Sequence, residues 1–354
     1  MLVVVTGASG FIGKNLINTL LDIDNVYILG IDINHFPYSN TFKKNNYEHI
    51  CIDLRDYTSI NVIVLKITEI CDKYNIIYDQ VYICHLAAKI SVSDSMKYPL
   101  EYYNSNVNTT LYVLSIMTTI NIKNIYFAST AAVYSTIQNI SDSNNLKFIE
   151  SDMLAPSSFY GITKYISETL IESYTKLYNL NTTIFRFFNV AGGRDTDPSP
   201  HHLIPILINS LINYNKKDNI DNIEWKIFGN DYDTDDGTCI RDYVHVEDIV
   251  NGFILSIIND IKLNKLNINN TKYKIYNLGS GIGYSVMDII NIMKEVIKSN
   301  YPNYTIPCIT VKERRLGDPD VLIADPTLAY NKLKWSQTKD IKSIIIDTMK
   351  DYLR

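Results

Sequence analysis

Near its start the chain reads Thr6-Gly7-Ala8-Ser9-Gly10-Phe11-Ile12-Gly13, between an apolar run at residues 2–5 and a helix-like run from Lys14 to Leu21. The apolar run is typical of a buried parallel strand. The glycines permit a tight turn and a close approach of the backbone to a pyrophosphate, and the start of the following helix offers unpaired N–H groups to that anion. This stretch therefore predicts a dinucleotide-binding turn.

A carboxylate follows at the spacing that a dinucleotide site requires. The next apolar run, residues 27–31, ends in Asp32, about 20 residues beyond the turn, where a carboxylate can accept hydrogen bonds from the adenosine ribose. Because Asp32 would repel a 2′-phosphate, the sequence favours NAD over NADP. A further strand-like run leads to Asp53, which lies either near the adenine or at the N-cap of the next helix.

Strand-like and helix-like runs alternate as far as residue 191. This rhythm predicts a Rossmann-type α/β fold with a doubly wound parallel sheet. We expect an NAD-binding domain at residues 1–191 and a smaller C-terminal α/β lobe that binds substrate at residues 192–354. The strand at residues 275–279 is expected to return to the first sheet.

Small and hydroxyl side chains stand where two of these strands end. The run at residues 80–88 ends in Ala87-Ala88, and the run at residues 124–130 ends in Ser129-Thr130. Ligands bind at the carboxyl ends of the strands of an open parallel sheet, so a hydroxyl here could hydrogen-bond a reacting oxygen, or simply form a turn. His85 lies within the apolar run and is interpreted as a packed residue rather than a base.

The pair Tyr160 and Lys164 is the candidate chemical group. They lie four positions apart in the sequence, which places both side chains on one face of a helix. An ammonium near a phenol favours the phenolate, so we expect Lys164 to lower the pKa of Tyr160. The spacing is not unique, because Tyr330 and Lys334 repeat it in a chain with 27 tyrosines.

Composition bounds the function. The net charge is −5, which gives no basic field for nucleic acid, and no apolar run reaches membrane-spanning length. The five cysteines form no C-x-x-C, and no signal-peptide pattern opens the chain, so we expect free thiols in the cytoplasm. Residues 213–224 and 259–274, rich in Asn, Lys and Asp, are expected to form surface loops. The acidic stretch 231–236 favours turns over a metal site, and we predict no metal.

The order of these motifs resembles the extended short-chain dehydrogenase/reductase family, and within it the UDP-glucose 4-epimerases. The resemblance covers nearly the whole chain and is most specific from Phe228 to Val246. Further stretches that carry it are Asn189-Val190-Ala191-Gly192, His202-Leu203-Ile204-Pro205, Asn277-Leu278-Gly279 and Arg315-Leu316-Gly317-Asp318.

The resemblance implies reversible 4-epimerisation of UDP-glucose and UDP-galactose through a 4-keto sugar with tightly bound NAD. Tyr160 would be the base, Thr130 would hydrogen-bond the reacting oxygen, and Lys164 would hold the nicotinamide ribose. The implied NAD contacts are Gly7, Gly10, Phe11, Ile12, Gly13, Asp32, Asp53, Leu54, Leu86, Ala87, Ala88, Asn106, Ser129, Tyr160, Lys164 and Phe187. The implied contacts with the UDP-hexose are Thr130, Tyr160, Asn189, His202, Leu203, Phe228, Arg241, Arg315, Asp318 and Leu322.

Several positions depart from the family pattern. Ser135 replaces a glycine, and Ile90 replaces a lysine that some members carry, for which Lys89 could substitute. His202 replaces an asparagine of some members. Leu322 stands where a tyrosine excludes N-acetylated sugars in other members, which leads to the hypothesis that UDP-N-acetylhexosamines are secondary substrates.

The alternatives are other enzymes of the same family. A 4,6-dehydratase needs an acid–base pair directly after the Ser/Thr, but Thr130 is followed by Ala131-Ala132. A UDP-glucuronate 4-epimerase remains open, and an NAD-sensing binding protein would have no use for the catalytic set. Family members dimerise through helices near residues 99–120 and 159–178, so a homodimer is expected.

Overall fold

The structure is a computed structural model that describes residues 1–35, 46–135, 147–193, 202–216, 223–266, 272–315 and 318–353. The chain forms two compact units, each assembled from separate segments. The first unit contains residues 1–133, 154–186 and 250–276, and the second contains residues 134–153, 187–249 and 277–354. None of the helices in the described ranges is long and apolar enough to cross a bilayer.

A seven-stranded sheet confirms the predicted Rossmann-type α/β fold. Five neighbouring strands pair in parallel, and the chain reverses its strand order at the strand Leu2–Thr6, where ligands bind in folds of this kind. In sheet order the strands are Tyr273–Leu278, Asn181–Phe187, Asn124–Thr130, Val81–His85, Leu2–Thr6, Tyr27–Asp32 and Tyr47–Cys51.

Apolar residues bury the inner strands of this sheet on both faces, as a parallel sheet requires, whereas the edge strand Tyr47–Cys51 is half-buried. All five residues of Leu2–Thr6 are buried, and their core continues into the helices Ser59–Tyr74 and Thr109–Thr119. The helices of the chain are Phe11–Leu20, Ser59–Tyr74, Val92–Lys97, Pro99–Tyr102, Thr109–Thr119, Phe159–Tyr178, Leu203–Lys216, Val246–Lys265, Val286–Asn300, Thr327–Leu333 and Ile341–Leu353.

The second unit has smaller sheets and a core of its own. The strand Ile240–His245 is central, because three strands pair with it: Gly283–Ser285 antiparallel, and Val321–Ala324 and Asn189–Ala191 in parallel. Lys147–Phe148 extends this sheet, and Trp225–Phe228 pairs in parallel with Ile309–Lys312. Helices cover the core, which includes the fully buried Trp225.

The prediction of surface loops at residues 213–224 and 259–274 is wrong in part. The helix Leu203–Lys216 extends into the first and the helix Val246–Lys265 into the second, where the strand from Tyr273 also begins. Many polar residues of these two segments therefore lie on the outward side of a helix and not in a loop. Asp260, one of them, is buried, and hydrogen bonds from Tyr126 and Lys274 satisfy its carboxylate.

Candidate active site

The glycine turn after the first strand leaves no room for a Cβ atom at two of its glycines. Gly7 has φ +70°, and a Cβ on it would lie 2.8 Å from the Ala87 nitrogen. A Cβ on Gly13 would lie 2.1 Å from the Gly7 carbonyl oxygen. The helix begins at Phe11 directly after Gly10, which has no side chain to cap it. The turn is therefore a cradle that any side chain at these two glycines would fill, and the uncapped start of the helix at Phe11 offers N–H groups that fit a pyrophosphate.

Gly13→Ala should abolish NAD retention, because the new methyl group cannot fit beside the Gly7 oxygen without moving the turn. The matched variant is Gly10→Ala, whose Cβ would lie 3.2 Å from the same oxygen. NAD released from denatured protein, together with the midpoint of thermal unfolding, measures both effects. Equal midpoints for the two variants would contradict this reading of the turn.

The carboxylate of Asp32 faces this turn at the end of its strand. Its oxygens accept the backbone N–H groups of Ser9 and Asn34, both at 2.9 Å. Each carboxylate oxygen can accept more than one hydrogen bond, so ribose hydroxyls remain possible partners. Asp53, in contrast, is paired with the Arg55 guanidinium, which lowers the pKa of its carboxyl, and Leu54 beside it is buried.

Thr6 and His85 fix the strand ends at the turn. The Thr6 hydroxyl accepts the N–H groups of Leu86 and Ala87 and lies 2.8 Å from Nδ1 of His85. Burial, assisted by the Lys164 charge, lowers the pKa of His85 to about 3, so the imidazole is neutral. Its Nε2 lies 3.1 Å from the Thr110 hydroxyl. His85 is thus a packed residue, as the apolar run predicted.

The side chain of Asn106 hydrogen-bonds the segment that follows the strand Val81–His85. Its Oδ1 accepts the Lys89 N–H at 2.8 Å, and its Nδ2 donates to the Lys89 carbonyl at 3.0 Å and to the Thr163 hydroxyl at 2.9 Å. It lies in a π-helical turn, Tyr103–Asn108, and such turns often occur at functional sites. Both amide hydrogens therefore position protein segments. Lys89 itself is paired with Glu101.

The start of the helix Phe159–Tyr178 brings Tyr160 to Thr130. Ser158 caps the helix by accepting the Gly161 N–H at 3.1 Å, and Ser95 accepts the Tyr160 N–H at 3.0 Å. A Cβ on Gly161 would lie 2.3 Å from the Ala132 oxygen, so only glycine lets the helix approach this closely. The phenol of Tyr160 hydrogen-bonds Thr130.

The electrostatics of Tyr160 and Lys164 differ from the expectation. Burial raises the pKa of Tyr160 to about 12, and the Thr130 hydrogen bond lowers it only in part. Burial lowers the pKa of Lys164 to about 7, against the opposing effect of Glu168. The expected lowering of the Tyr160 pKa was wrong for the protein's own groups, because burial of the phenol dominates. Nζ of Lys164 donates to the Ala128 carbonyl at 2.8 Å.

Ser129 belongs to a buried charge cluster. Its hydroxyl donates to Glu168, whose carboxylate also binds the Arg186 guanidinium through Nε at 3.1 Å and Nη2 at 2.7 Å. Glu168 and Arg186 are both buried. Ser129 thus anchors the strand end to the helix that carries Lys164. This cluster was not predicted from the sequence, although Arg186 inside an apolar strand indicates a buried partner.

Four of the predicted substrate residues form two contacting pairs within the second unit. Arg241 Nη2 donates to Asp318 Oδ1 at 2.5 Å, and its guanidinium also reaches the carbonyls of Ile240 and Pro319. The guanidinium of Arg315 stacks on the ring of Phe228, 4.3 Å from its centroid. This stacking leaves the edge of the guanidinium open to a phosphate.

The remaining predicted residues lie at element ends in the second unit. Asn189 begins a strand opposite Tyr243, and Leu322 pairs in register with Arg241. His202 and Leu203 stand at the start of the helix Leu203–Lys216, while Phe187, at the end of its strand, is buried. Sequence reasoning missed Asp242, which is buried and accepts three backbone N–H groups, those of Ser280, Gly281 and Ala324.

The rival pair Tyr330 and Lys334 has a different geometry. Its helix, Thr327–Leu333, ends before Lys334, which has φ +58°. Tyr330 is 56% exposed, and the Lys334 ammonium lies 5.9 Å from the centroid of its ring. The burial that distinguishes Tyr160 and Lys164 is missing at this pair.

Comparisons with known proteins show the family of the chain. The sequence profile of the NAD dependent epimerase/dehydratase family matches residues 3–279. UDP-glucose 4-epimerase of Lactobacillus helveticus is 35% identical over 75% of this chain and 74% of its own length. That of Mycoplasma genitalium is 31% identical over 99% and 96%. The crystal structure of UDP-glucose 4-epimerase from Bifidobacterium longum in complex with NAD+ and UDP superposes with a TM-score of 0.82, at 25% identity, over 100% of this chain and 98% of that one. The chain therefore belongs to the NAD-dependent epimerase/dehydratase family, among its UDP-glucose 4-epimerases.

Proposed function

We propose that this protein interconverts UDP-glucose and UDP-galactose by removing and returning hydrogen at C4 of the sugar. The observation that carries the proposal is the set of the buried Tyr160 and Lys164 and the half-buried Thr130 beside a dinucleotide-binding turn. The similarity to UDP-glucose 4-epimerases over most of the chain supports it.

The protein's own residues would move one proton. Tyr160 would take the proton of the 4-hydroxyl and later return it, with Thr130 hydrogen-bonded to the same oxygen. NAD+ would be held by the glycine turn, Asp32 and Lys164, where it would supply a hydride acceptor and a positive charge that lowers the pKa of Tyr160. Because the same phenol removes and returns the proton, the reaction runs in both directions.

The two units would divide the binding. We propose that the first unit binds NAD and that Arg241, Arg315 and Asp318 in the second bind UDP, the arginines at the phosphates and the carboxylate at the uridine ribose. These cationic groups explain how a protein of net charge −5 binds an anionic substrate. Asn189, His202, Leu203 and Phe228 of the second unit would make further contacts with the UDP-hexose.

One incubation tests the reaction. Purified protein is mixed with UDP-galactose without added NAD, and UDP-glucose is followed by chromatography. Turnover means epimerisation with a retained cofactor. A 4-keto-6-deoxy product from another nucleotide sugar, with no UDP-glucose, would favour the dehydratase alternative. That alternative has the weaker support, because Ala131 and Ala132 cannot protonate a leaving hydroxyl.

Leu322→Tyr should remove activity towards UDP-N-acetylglucosamine and keep activity towards UDP-glucose. Leu322 is half-buried in the strand Val321–Ala324, and a larger ring there would take the space of an N-acetyl group. We expect a loss of more than about tenfold in kcat/KM, the size of a steric discrimination. Leu322→Ala is the control for side-chain loss. If the wild type and both variants are equally inert towards UDP-N-acetylglucosamine while UDP-glucose still reacts, the hypothesis fails.

We also propose a cytoplasmic homodimer. All five cysteines are free, which suits a reducing compartment. The helical segments near residues 92–119 and 159–178 expose large apolar side chains, among them Met96, Leu100 and Tyr165. Such a surface favours association with a second copy.

Leu100→Glu should therefore convert the dimer to a monomer, since Leu100 is 72% exposed and a charge there opposes burial. Light scattering after gel filtration measures the mass. Leu65→Glu, at a similarly exposed leucine on the helix Ser59–Tyr74, is the matched control and should leave the mass unchanged. A monomeric wild type would refute the proposal.

A further inference from the structure

A cysteine lies between two histidines at the carboxyl end of the edge strand Tyr47–Cys51. The exposed thiol of Cys51 is 3.2 Å from Nδ1 of His35 and 3.8 Å from Nε2 of His49. The other exposed cysteine, Cys308, has no hydrogen bond to its thiol within the described ranges. The remaining three cysteines are buried.

The hydrogen bonds of His49 fix its tautomer. Nε2 lies 3.0 Å from the Asn34 carbonyl oxygen, which only accepts, so Nε2 carries a hydrogen. Nδ1 then accepts from the Tyr47 hydroxyl at 3.0 Å. The hydrogen on Nε2 also faces the Cys51 sulfur, which lies 3.8 Å from Nε2. His35 Nδ1, on the other side, can accept the thiol proton.

This arrangement suits thiol chemistry rather than metal binding. Nε2 of His49 has no lone pair for a cation while it donates to Asn34. Among the described residues, no group of His, Cys, Asp and Glu is placed to hold a metal ion. A thiol with a proton acceptor on one side and an N–H donor on the other is instead set to act as a nucleophile.

Cys51 also borders the proposed adenosine subsite. Cys51 pairs in register with Asp32 across two parallel strands, and the Ile52 N–H donates to the Asp32 carbonyl at 2.8 Å. Neighbouring strands lie about 4.8 Å apart, so a group added to the sulfur would stand next to the Asp32 carboxylate. That carboxylate is the predicted acceptor for the ribose hydroxyls.

We propose that Cys51 is a modification site for small electrophiles and that an adduct there weakens the hold on NAD. The effect of the adduct on NAD binding rests on the proposed function. In the reaction His35 Nδ1 takes the thiol proton, the sulfur attacks the electrophilic carbon, and the leaving group departs with its electron pair. With iodoacetamide as the probe, an S–C bond forms, the C–I bond breaks, and iodide leaves.

The experiment compares two exposed thiols in one protein. The purified full chain is treated with limiting iodoacetamide, and peptide mass spectrometry gives separate rates for Cys51 and Cys308. We expect Cys51 to react at least about tenfold faster, and His35→Gln to bring it to the rate of Cys308. Equal rates for the two cysteines in the wild type, or an unchanged Cys51 rate in His35→Gln, would overturn the assignment.

The same samples test the link to the cofactor. NAD retained per chain after gel filtration should fall in proportion to Cys51 labelling, and Cys51→Ser should keep its NAD under identical treatment. Added NAD+ should slow the labelling of Cys51 but not of Cys308. Complete labelling of Cys51 with full NAD retention would overturn the link. If the untreated protein contains no NAD and does not bind added NAD, the proposed function fails. The two labelling rates still decide the reactivity of Cys51 in that case.

Discussion

Tyr160→Phe is expected to lower kcat for the epimerisation of UDP-galactose by about 10³-fold, within the range that a general acid–base group contributes. The substitution keeps the ring in its buried site and removes the hydroxyl that hydrogen-bonds Thr130. Without that hydroxyl nothing at this position can take the proton from the sugar or return it. Because Tyr160 lies in the first unit and the proposed UDP ligands lie in the second, affinity for UDP should stay nearly unchanged.

Tyr330→Phe is the matched control, since its hydroxyl belongs to the pair with the same spacing. Tyr330 is exposed and its lysine lies beyond the end of the helix, so the substitution should leave kcat unchanged. Initial rates give kcat, calorimetry with UDP gives affinity, and NAD content confirms that the cofactor is retained. Survival of most of the activity in Tyr160→Phe would rule out the assigned base.

Short-range spacing made part of the site predictable from the sequence. The glycine turn and Asp32 follow one another along a single strand–helix–strand unit, so their order fixes their place in the fold. Tyr160 and Lys164 share one helix for the same reason. Gly161 stands directly after Tyr160 in the sequence, yet its role depends on the Ala132 carbonyl, which approaches only after folding.

The direction of the Tyr160 pKa could not be predicted, because it depends on burial rather than on spacing. Sequence places an ammonium one helical turn away and indicates a lowered value. In the folded protein Nζ of Lys164 donates to the Ala128 carbonyl and lies 4.7 Å from the centroid of the Phe127 ring. Removal from water raises the pKa of Tyr160 to about 12, and the Thr130 hydrogen bond opposes this only in part.

Glu168→Leu is expected to lower the free energy of unfolding by about 3–5 kcal/mol, the cost of breaking a buried ion pair from one side. It would leave the Arg186 guanidinium without its carboxylate, although both charges are buried in the native protein. The matched control is Glu172→Leu on the same helix. Its partner, Lys176, is 74% exposed, so the loss there should be below about 1 kcal/mol.

Urea unfolding at equal NAD content measures both variants, and Glu168→Leu/Arg186→Met tests the cause. Removing both charges should recover most of the stability, because a buried pair can be replaced by apolar groups at little cost. Equal losses for Glu168→Leu and Glu172→Leu would contradict the buried cluster. The cluster also bears on catalysis, since Glu168 opposes the lowering of the Lys164 pKa by burial. Without Glu168 the lysine would lose its proton more readily, and the positive charge beside Tyr160 would be lost with it.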